Sequence, residues 1–496
     1  MTGSRPGMAA AQVWVLTLTS VASLMVALDV LAVSTALSTI RAHLHASLAG
    51  LEWTVNAYVL SLAVLLMTGA ALGDRLGRRR LFTAGIGLFT AGSAACALAQ
   101  NIGWLIAARA VQGAGAAVML PLALALLSAG FPPQQRAKAL GIFGAITGLG
   151  AVLGPLVGGA AVQAISWPWI FWINVPIGLV TIALTRVRVG ESFGPDPALD
   201  LPGLVLVTGA AFGVVWALVR GHAAGWGSTE VTGALAAGIA LAVAFLAWEL
   251  RARQPMLPMR LFRSRPFTSG TAAIFFLWGS ALGTVFFMAQ FLQTALHYSP
   301  LAAGLGLMPW GVTLIVAAPL AGARIRRAGE RPFITGGLVL VAAGAAWLAL
   351  AARPSLAYWQ VLVPLLLTGL GFSAALPATQ SAVMSHVAPQ YIGKASGTFT
   401  MARQLGGAFG IAVAVAVFGG SGSYASAQSF SNGYGPALGS CAALALTGAI
   451  TGLLAPPGQP PAHQPWPPPG PASWQQTEAE APRLADPAEA GAGRAA

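Results

Sequence analysis

Two stretches decide how this chain is built: "PQQRAKALGIF" at Pro133–Phe143 and "PQYIGKASGTF" at Pro389–Phe399. Laid over each other without a gap, they share Pro, Gln, Lys, Ala, Gly and Phe, six of eleven positions, at an offset of 256 residues. The same offset aligns "GAGAAVMLP" (Gly113–Pro121) with "GLGFSAALP" (Gly369–Pro377), and carries Gly150 and Gly154 onto Gly406 and Gly410. An internal repeat is read before any local motif, because it says that the chain is made of copies of one unit.

The unit is a membrane unit. Of the 496 residues 56% are apolar and only 8% charged, and the mean hydropathy is +0.74. So little polar surface cannot cover a water-soluble globule of this size. A helix needs roughly 20 apolar residues to cross ~30 Å of hydrocarbon. Fourteen such runs are expected, at 13–37, 51–72, 81–99, 103–127, 139–162, 167–185, 201–219, 231–248, 267–292, 301–322, 333–351, 357–384, 395–418 and 434–454. The expectation is an all-α polytopic membrane protein with two parallel six-helix bundles, at 13–190 and 267–455. Two extra spans and their linkers fall at 191–266, a short N-terminus at 1–12, and a Pro- and Ala-rich disordered tail at 456–496. Eight crossings separate the repeated stretches, so the copies point the same way, as in transporters whose halves are related by an axis along the membrane normal.

Arginine and lysine avoid translocated loops. With the N-terminus placed inside, 21 of the 26 Lys and Arg fall in cytoplasmic segments and only Arg41, Arg220 and Arg353 in outer loops; Arg109 and Arg403 lie within spans. Both termini are therefore expected in the cytoplasm, and the cytoplasmic membrane is the expected location. The net charge of +13 is absorbed by this asymmetry, so no nucleic-acid partner is inferred. Residues 1–12 lack a secretory leader's cleavage site, so the first span is expected to stay as an anchor. Cys96 and Cys441 read as buried small hydrophobes, and the six histidines fall in loops, tail or span edges, where no metal site is expected. No phosphate-binding loop or organic-cofactor motif is present, and neither a cofactor nor an enzymatic reaction is expected.

"LGDRLGRRRLF" (Leu72–Phe82) joins the second and third spans by a short loop. Its Asp74, Arg75, Gly77 and Arg78 resemble the loop signature of the major facilitator superfamily, with Ala70 at the first glycine of that pattern. The resemblance implies a cytoplasmic latch. "GAVLGPLVGG" (Gly150–Gly159) puts Gly150, Gly154 and Gly158 on one helix face, where a neighbouring backbone can come close. Pro155 removes a backbone donor from the same helix. With Gly159, this stretch is similar to the antiporter motif of drug exporters. "WIFWINVPIG" (Trp169–Gly178), "LPMRLFRSRPF" (Leu257–Phe267) and "GKASGTFTMARQLGGAFG" (Gly393–Gly410) resemble the fourteen-span drug:proton antiporters of the EmrB/QacA type.

Asp29 stands inside the first span in "LDVLAVSTALS" (Leu28–Ser38), which keeps the family's aspartate but has Leu31, Ser34 and Ser38 where Thr, Asn and Pro are usual. A charged side chain at a helix centre costs about 2.5–3.5 kcal/mol on insertion scales, so intramembrane acids have a job. Arg109 in "RAVQGAG" resembles the family's arginine associated with proton transfer. A relation between Asp29 and Arg109 that changes with conformation could bind and release a proton; a static buried pair is the alternative. Glu52 is expected at the outer interface. Asn56, Tyr58, Gln112, Gln290 and Gln293, with an aromatic wall of Phe275, Phe276 and Trp278, are the candidate substrate cavity. The offset maps Asp29 onto Val285 and Arg109 onto Leu365, so one proton per cycle is expected. The resulting expectation is a monomeric proton-coupled exporter of lipophilic or cationic compounds. A dedicated exporter of one endogenous product and a non-transporting receptor remain as rivals.

Overall fold

A computed structural model describes residues 10–194, 200–252, 255–257, 259–385, 387 and 391–455. The expected N-terminal segment up to residue 9 and the tail from 456 onward lie outside the described residues.

The described chain is helical throughout. The first bundle comprises α1 (Ala10–Leu44), α2 (Leu48–Leu76), α3 (Arg78–Ala97), α4 (Ile102–Gly130), α5 (Pro133–Ala164), the short α6 (Trp169–Trp172) and α7 (Asn174–Arg188). A hairpin of α8 (Leu201–Ala224) and α9 (Thr229–Arg251) follows. The second bundle comprises α10 (Arg265–Thr294), α11 (Pro300–Ala328), α12 (Arg331–Ala351), α13 (Tyr358–Met384), α14 (Ile392–Gly419) and α15 (Ala427–Leu453). Side-chain oxygens start several helices by accepting a first-turn N–H: Ser47 for α2, Asn101 for α4, Asp200 for α8, Ser299 for α11 and Ser426 for α15.

Thirteen helices among the described residues are long and apolar enough to span a membrane, with α6 and α7 forming one of them. The third expected span, α3, has 20 residues but opens on Arg78, Arg79 and Arg80 and is rich in Gly, Ala, Thr and Ser. It is enclosed by α4 and α7. The sixth expected span is divided at Ile173, where Pro176 supplies no N–H to the carbonyl of Trp172.

The repeat is visible in the packing. In the first bundle α1 packs on α5, α2 on α4, and α3 on α4 and α7; in the second, α10 packs on α14, α11 on α13, and α12 on α13 and α15. The 256-residue offset carries each of these pairs onto its counterpart. The bundles meet mainly through α5 against α11 and α2 against α14, with α1 against α10. The hairpin lies along this seam on α2 and α14. There Trp53 of α2 meets Phe212 and Trp216 of α8 at ring separations of 5.5 and 6.0 Å, while Val207, Phe245, Met256, Leu257 and Met401 form a small core of their own.

Two carboxylates stand at span ends, as expected, but are buried there instead of facing an interface. Glu52 is 0% and Glu249 2% exposed. Glu249 is satisfied on one oxygen by the backbone N–H of Leu257, which folds back under α9. Near Glu52, Gly50 packs on Ile102 of α4 and Trp53 on the hairpin.

Candidate functional site: a sealed charge network and its helix

Asp29 and Arg109 meet inside the first bundle. Arg109 Nη1 donates to Asp29 Oδ2 at 2.5 Å and to Gln112 Oε1 at 2.7 Å. Gln112 Nε2 closes the triangle by donating to Asp29 Oδ1 at 2.8 Å, and also reaches Ser93 Oγ at 2.7 Å. Asn174 of α7 donates to the same Ser93 oxygen at 3.3 Å. Arg109 Nε donates to the Thr54 carbonyl of α2 at 3.1 Å, and its guanidinium lies over the Tyr58 ring at 4.2 Å.

Five helices thus contribute to one network. The sequence builds it by spacing: Arg109 and Gln112 are three apart on α4 and share a face. Gly92 lets α3 come close enough for Ser93 to reach Gln112, since a Cβ there would stand 2.8 Å from the Gln112 Cα. Asp29 and Arg109 are 2% and 1% exposed, so the carboxylate faces the bundle interior and not an open cavity. Both carboxylate oxygens and two guanidinium nitrogens are satisfied, the condition under which a buried ion pair is tolerated.

The glycine helix lies directly behind this network. A Cβ at Gly150 would be 2.6 Å from the Ala27 Cβ, at Gly154 2.8 Å from the Leu31 Cβ, and at Gly158 2.5 Å from the Thr35 hydroxyl. The three glycines therefore press α5 onto the face of α1 opposite Asp29, one turn after another. Gly159 and the Pro155 carbonyl look the other way, onto Pro300 and Gly304 of α11. One helix thus touches both the charged bundle and its partner bundle.

At the α2–α3 junction Asp74 Oδ1 accepts from Arg78 Nε at 2.7 Å, and the Asp74 carbonyl accepts the N–H of Gly194 at 3.0 Å. Gly77 turns the chain with φ of 109°, a left-handed conformation that other residues adopt only with strain. Glu191, from the segment after α7, fills the space above it. Its oxygens accept the backbone N–H groups of Arg79 at 2.8 Å and Arg80 at 3.3 Å, capping α3 from outside, and it pairs with both side chains at 3.6 Å. Arg75, the fourth residue of the expected latch, is exposed in the last turn of α2.

The expected cavity residues separate. Tyr58 and Gln112 belong to the charge network. Asn56 donates to Glu52 Oε1 at 3.2 Å within α2. Gln290 is bonded by the Tyr424 hydroxyl, and Gln293 donates to the Thr35 carbonyl at 2.8 Å, bridging α10 to α1. Burial pushes the Tyr424 phenol above its ordinary value, against a smaller opposing pull from Arg41. Phe275 and Phe276 meet edge to face at 5.4 Å. Trp278 packs on Phe372 at 5.1 Å, with the Arg403 guanidinium 4.9 Å over its ring. Among the described residues no three His, Cys, Asp or Glu side chains cluster as metal ligands would, and Cys96 and Cys441 are free and buried.

Ser93, Asn174 and Glu191 join the site although the sequence does not single them out. Ser93 and Asn174 are single polar residues in apolar spans, the same signal that draws attention to Gln112. Glu191 offers only an acid after "RVRVG".

Two helical bundles built from a tandem repeat, with a charge network inside one of them, define a polytopic helical fold of the membrane-transporter type. Residues 19–411 match the Major Facilitator Superfamily model, and the chain belongs to that family. It is 36% identical over 403 residues to the tetracenomycin C resistance and export protein of Streptomyces glaucescens, covering 79% of this chain and 73% of that protein. It is 35% identical over 407 residues to the multidrug resistance protein Stp of Mycobacterium tuberculosis, covering 81% and 75%. Among solved structures, the peptide transporter POT in complex with sulfate shares the fold at a TM-score of 0.65 and 16% identity, covering 88% of this chain and 93% of that one.

Proposed function

We propose that this protein is a proton-coupled antiporter of the fourteen-span drug-exporter type, moving lipophilic antibiotics or drugs out of the cell across the cytoplasmic membrane. The kinship with an antibiotic exporter and a multidrug resistance protein supports the export of such compounds. The observation that carries the coupling is the sealed Asp29–Arg109–Gln112 triangle. When Asp29 takes a proton it loses its charge, and Arg109 keeps Gln112, the Thr54 carbonyl and the Tyr58 ring as partners. The arginine thus has a place in both protonation states. The movement of α1 relative to α4 passes to α5 through the glycine contacts, and from Pro155 and Gly159 to α11.

The arginine-rich end, with the Asp74 loop, is assigned to the cytoplasm by the positive-inside rule. Polar contacts between the bundles lie at the other end, Gln293 to Thr35 at 2.8 Å, Leu301 N–H to Gln163 at 3.2 Å and Arg41 over the Tyr424 ring at 4.1 Å, while Met67 against Gly397 is an apolar contact nearer the arginine-rich end. Towards the arginine-rich end, a Cβ added at Gly141, Gly144 or Gly148 of α5, or at Gly322 of α11, would meet no atom within 4 Å. This pattern supports an inward-open state, with the substrate taken up between the bundles and released after the outer contacts part.

The testing experiment is export of a panel of dyes and antibiotics from cells expressing the protein, with and without a protonophore. Collapse of export with the protonophore supports coupling, and persistence refutes it. A panel in which a single compound is exported favours the narrower reading, a dedicated exporter of one product, to which the kinship with the tetracenomycin C exporter gives weight.

A further inference from the structure

A second carboxylate is sealed inside the protein near one end of α2, apart from the Asp29 network. Glu52 and Asn56 sit one turn apart on α2, both 0% exposed. Asn56 Nδ2 donates to Glu52 Oε1 at 3.2 Å, which leaves Glu52 Oε2 and Asn56 Oδ1 buried without a hydrogen-bond partner. Two orphan acceptors side by side are costly in an apolar interior. One additional proton removes the carboxylate's charge, and a protonated Glu52 can donate to the Asn56 carbonyl once the amide has turned over.

The helix wheel places this pair. Tyr58, Ser61, Gly69 and Gly73 of α2 touch α4. Asn56, Ala63 and Met67 follow a spacing of seven and four, so they share the opposite face, and Met67 lies against Gly397 of α14. Glu52 continues that stripe one turn towards the end of α2 near Ser47. The pair therefore points into the seam between the bundles, at the end where their polar contacts lie, and the neighbouring Trp53 packs on Phe212 and Trp216 of α8.

The charged groups on the surrounding elements are engaged elsewhere. Arg109 of α4 holds Asp29, Arg41 of α1 lies over Tyr424, and Arg220 of α8 pairs with Glu230 at 3.0 Å. On α14, Lys394 donates to the Pro255 carbonyl at 3.0 Å and Arg403 lies over Trp278. No ion pair to Glu52 is formed among the described residues.

We propose that Glu52 and Asn56 form a second proton-binding site, which is sealed while the bundles are closed at this end and meets water when they part. It loads from the far side of the membrane and releases after the swing, with the Asn56 amide reversing its donor and acceptor atoms at each change. Its use in transport rests on the proton-coupled reading above; the binding of the proton does not.

The test uses the full-length protein in lipid vesicles and infrared difference spectroscopy between acid and alkaline pH. A carboxylic C=O band present in the wild type and in D29N, and lost in E52Q, is the expected result. A wild-type spectrum unaltered by E52Q overturns the site. Asn56→Leu, which leaves Glu52 in place, is expected to move the midpoint of that band along the pH axis, and an unmoved midpoint also counts against it. In the same vesicles, protons counted per monocationic dye are expected to fall about twofold in E52Q and to recover in E52D. An unchanged ratio removes Glu52 from the cycle. Absence of any proton movement with dye in the wild type refutes proton coupling itself, while the infrared band still decides the site.

Discussion

Asp29 and Arg109, eighty residues apart in the chain, are joined at 2.5 Å with side chains 0% and 1% exposed. The pair sits inside one bundle, out of reach of solvent, so in the proposed cycle a proton reaches Asp29 only when α1 moves against α4.

Breaking one side of a buried ion pair leaves the other charge uncompensated, at a cost of about 3–5 kcal/mol. Arg109→Met and Asp29→Asn are each expected to lower the melting temperature of the purified protein, and the double variant to lose less than the sum of the two. Strict additivity in thermal unfolding would show that the contact carries no coupling energy. Asp29→Asn, which keeps volume and removes the titratable group, is also expected to reduce proton-driven dye efflux to the level of cells lacking the protein. Wild-type efflux at every pH would remove Asp29 from the coupling role.

The glycine stripe separates tight from open positions on one helix. Gly158→Ala places a methyl 2.5 Å from the Thr35 hydroxyl and 2.6 Å from the Ala32 carbonyl, and is expected to cut export at least severalfold. Gly148→Ala, which meets nothing within 4 Å, is expected to export like the wild type. Equal effects of the two substitutions would contradict the packing role.

Glu191 caps α3 from a distant segment. Glu191→Ala removes an acceptor from two backbone N–H groups, a loss of about 0.5–2 kcal/mol for a helix cap. A lower melting temperature with weakened export is expected, whereas Glu191→Gln should retain part of both. An unaltered melting curve for Glu191→Ala would deny it the capping role.

Orientation can be read by labelling. Ser423→Cys, exposed beyond α14, is expected to react with an impermeant thiol reagent added to intact cells, and Arg80→Cys, exposed at the start of α3, to react only after lysis. The native Cys96 and Cys441 are buried. The reverse labelling pattern would invert the assignment of the ends.

The helical architecture was legible because hydrocarbon demands long apolar runs whose backbone bonds are satisfied locally. The tandem build was legible because both copies keep Gly113, Pro121, Pro133, Gly141, Gly150 and Gly154 at one constant offset. Asp29 and Arg109 stood out for a related reason, since an ionised residue in an apolar span is conspicuous. The burial of Glu52 and Glu249 was hidden, because nearness to a span end says nothing about which neighbouring helix covers it. Likewise Gln112 carried no mark distinguishing a network member from a cavity residue.

What the sequence determined by itself was therefore what is local or periodic: the apolar runs, the repeat, the charge asymmetry, and the glycines spaced by four along α5. Only the tertiary structure decided which helices share a polar network, that Glu191 returns from beyond α7 to cap α3, and that Asn56 bonds Glu52 while Tyr58 turns towards Arg109. The reason is physical. Helix formation follows from residues within a few positions of each other, whereas a polar side chain in a membrane takes its role from whichever donor or acceptor another helix brings within about 3 Å.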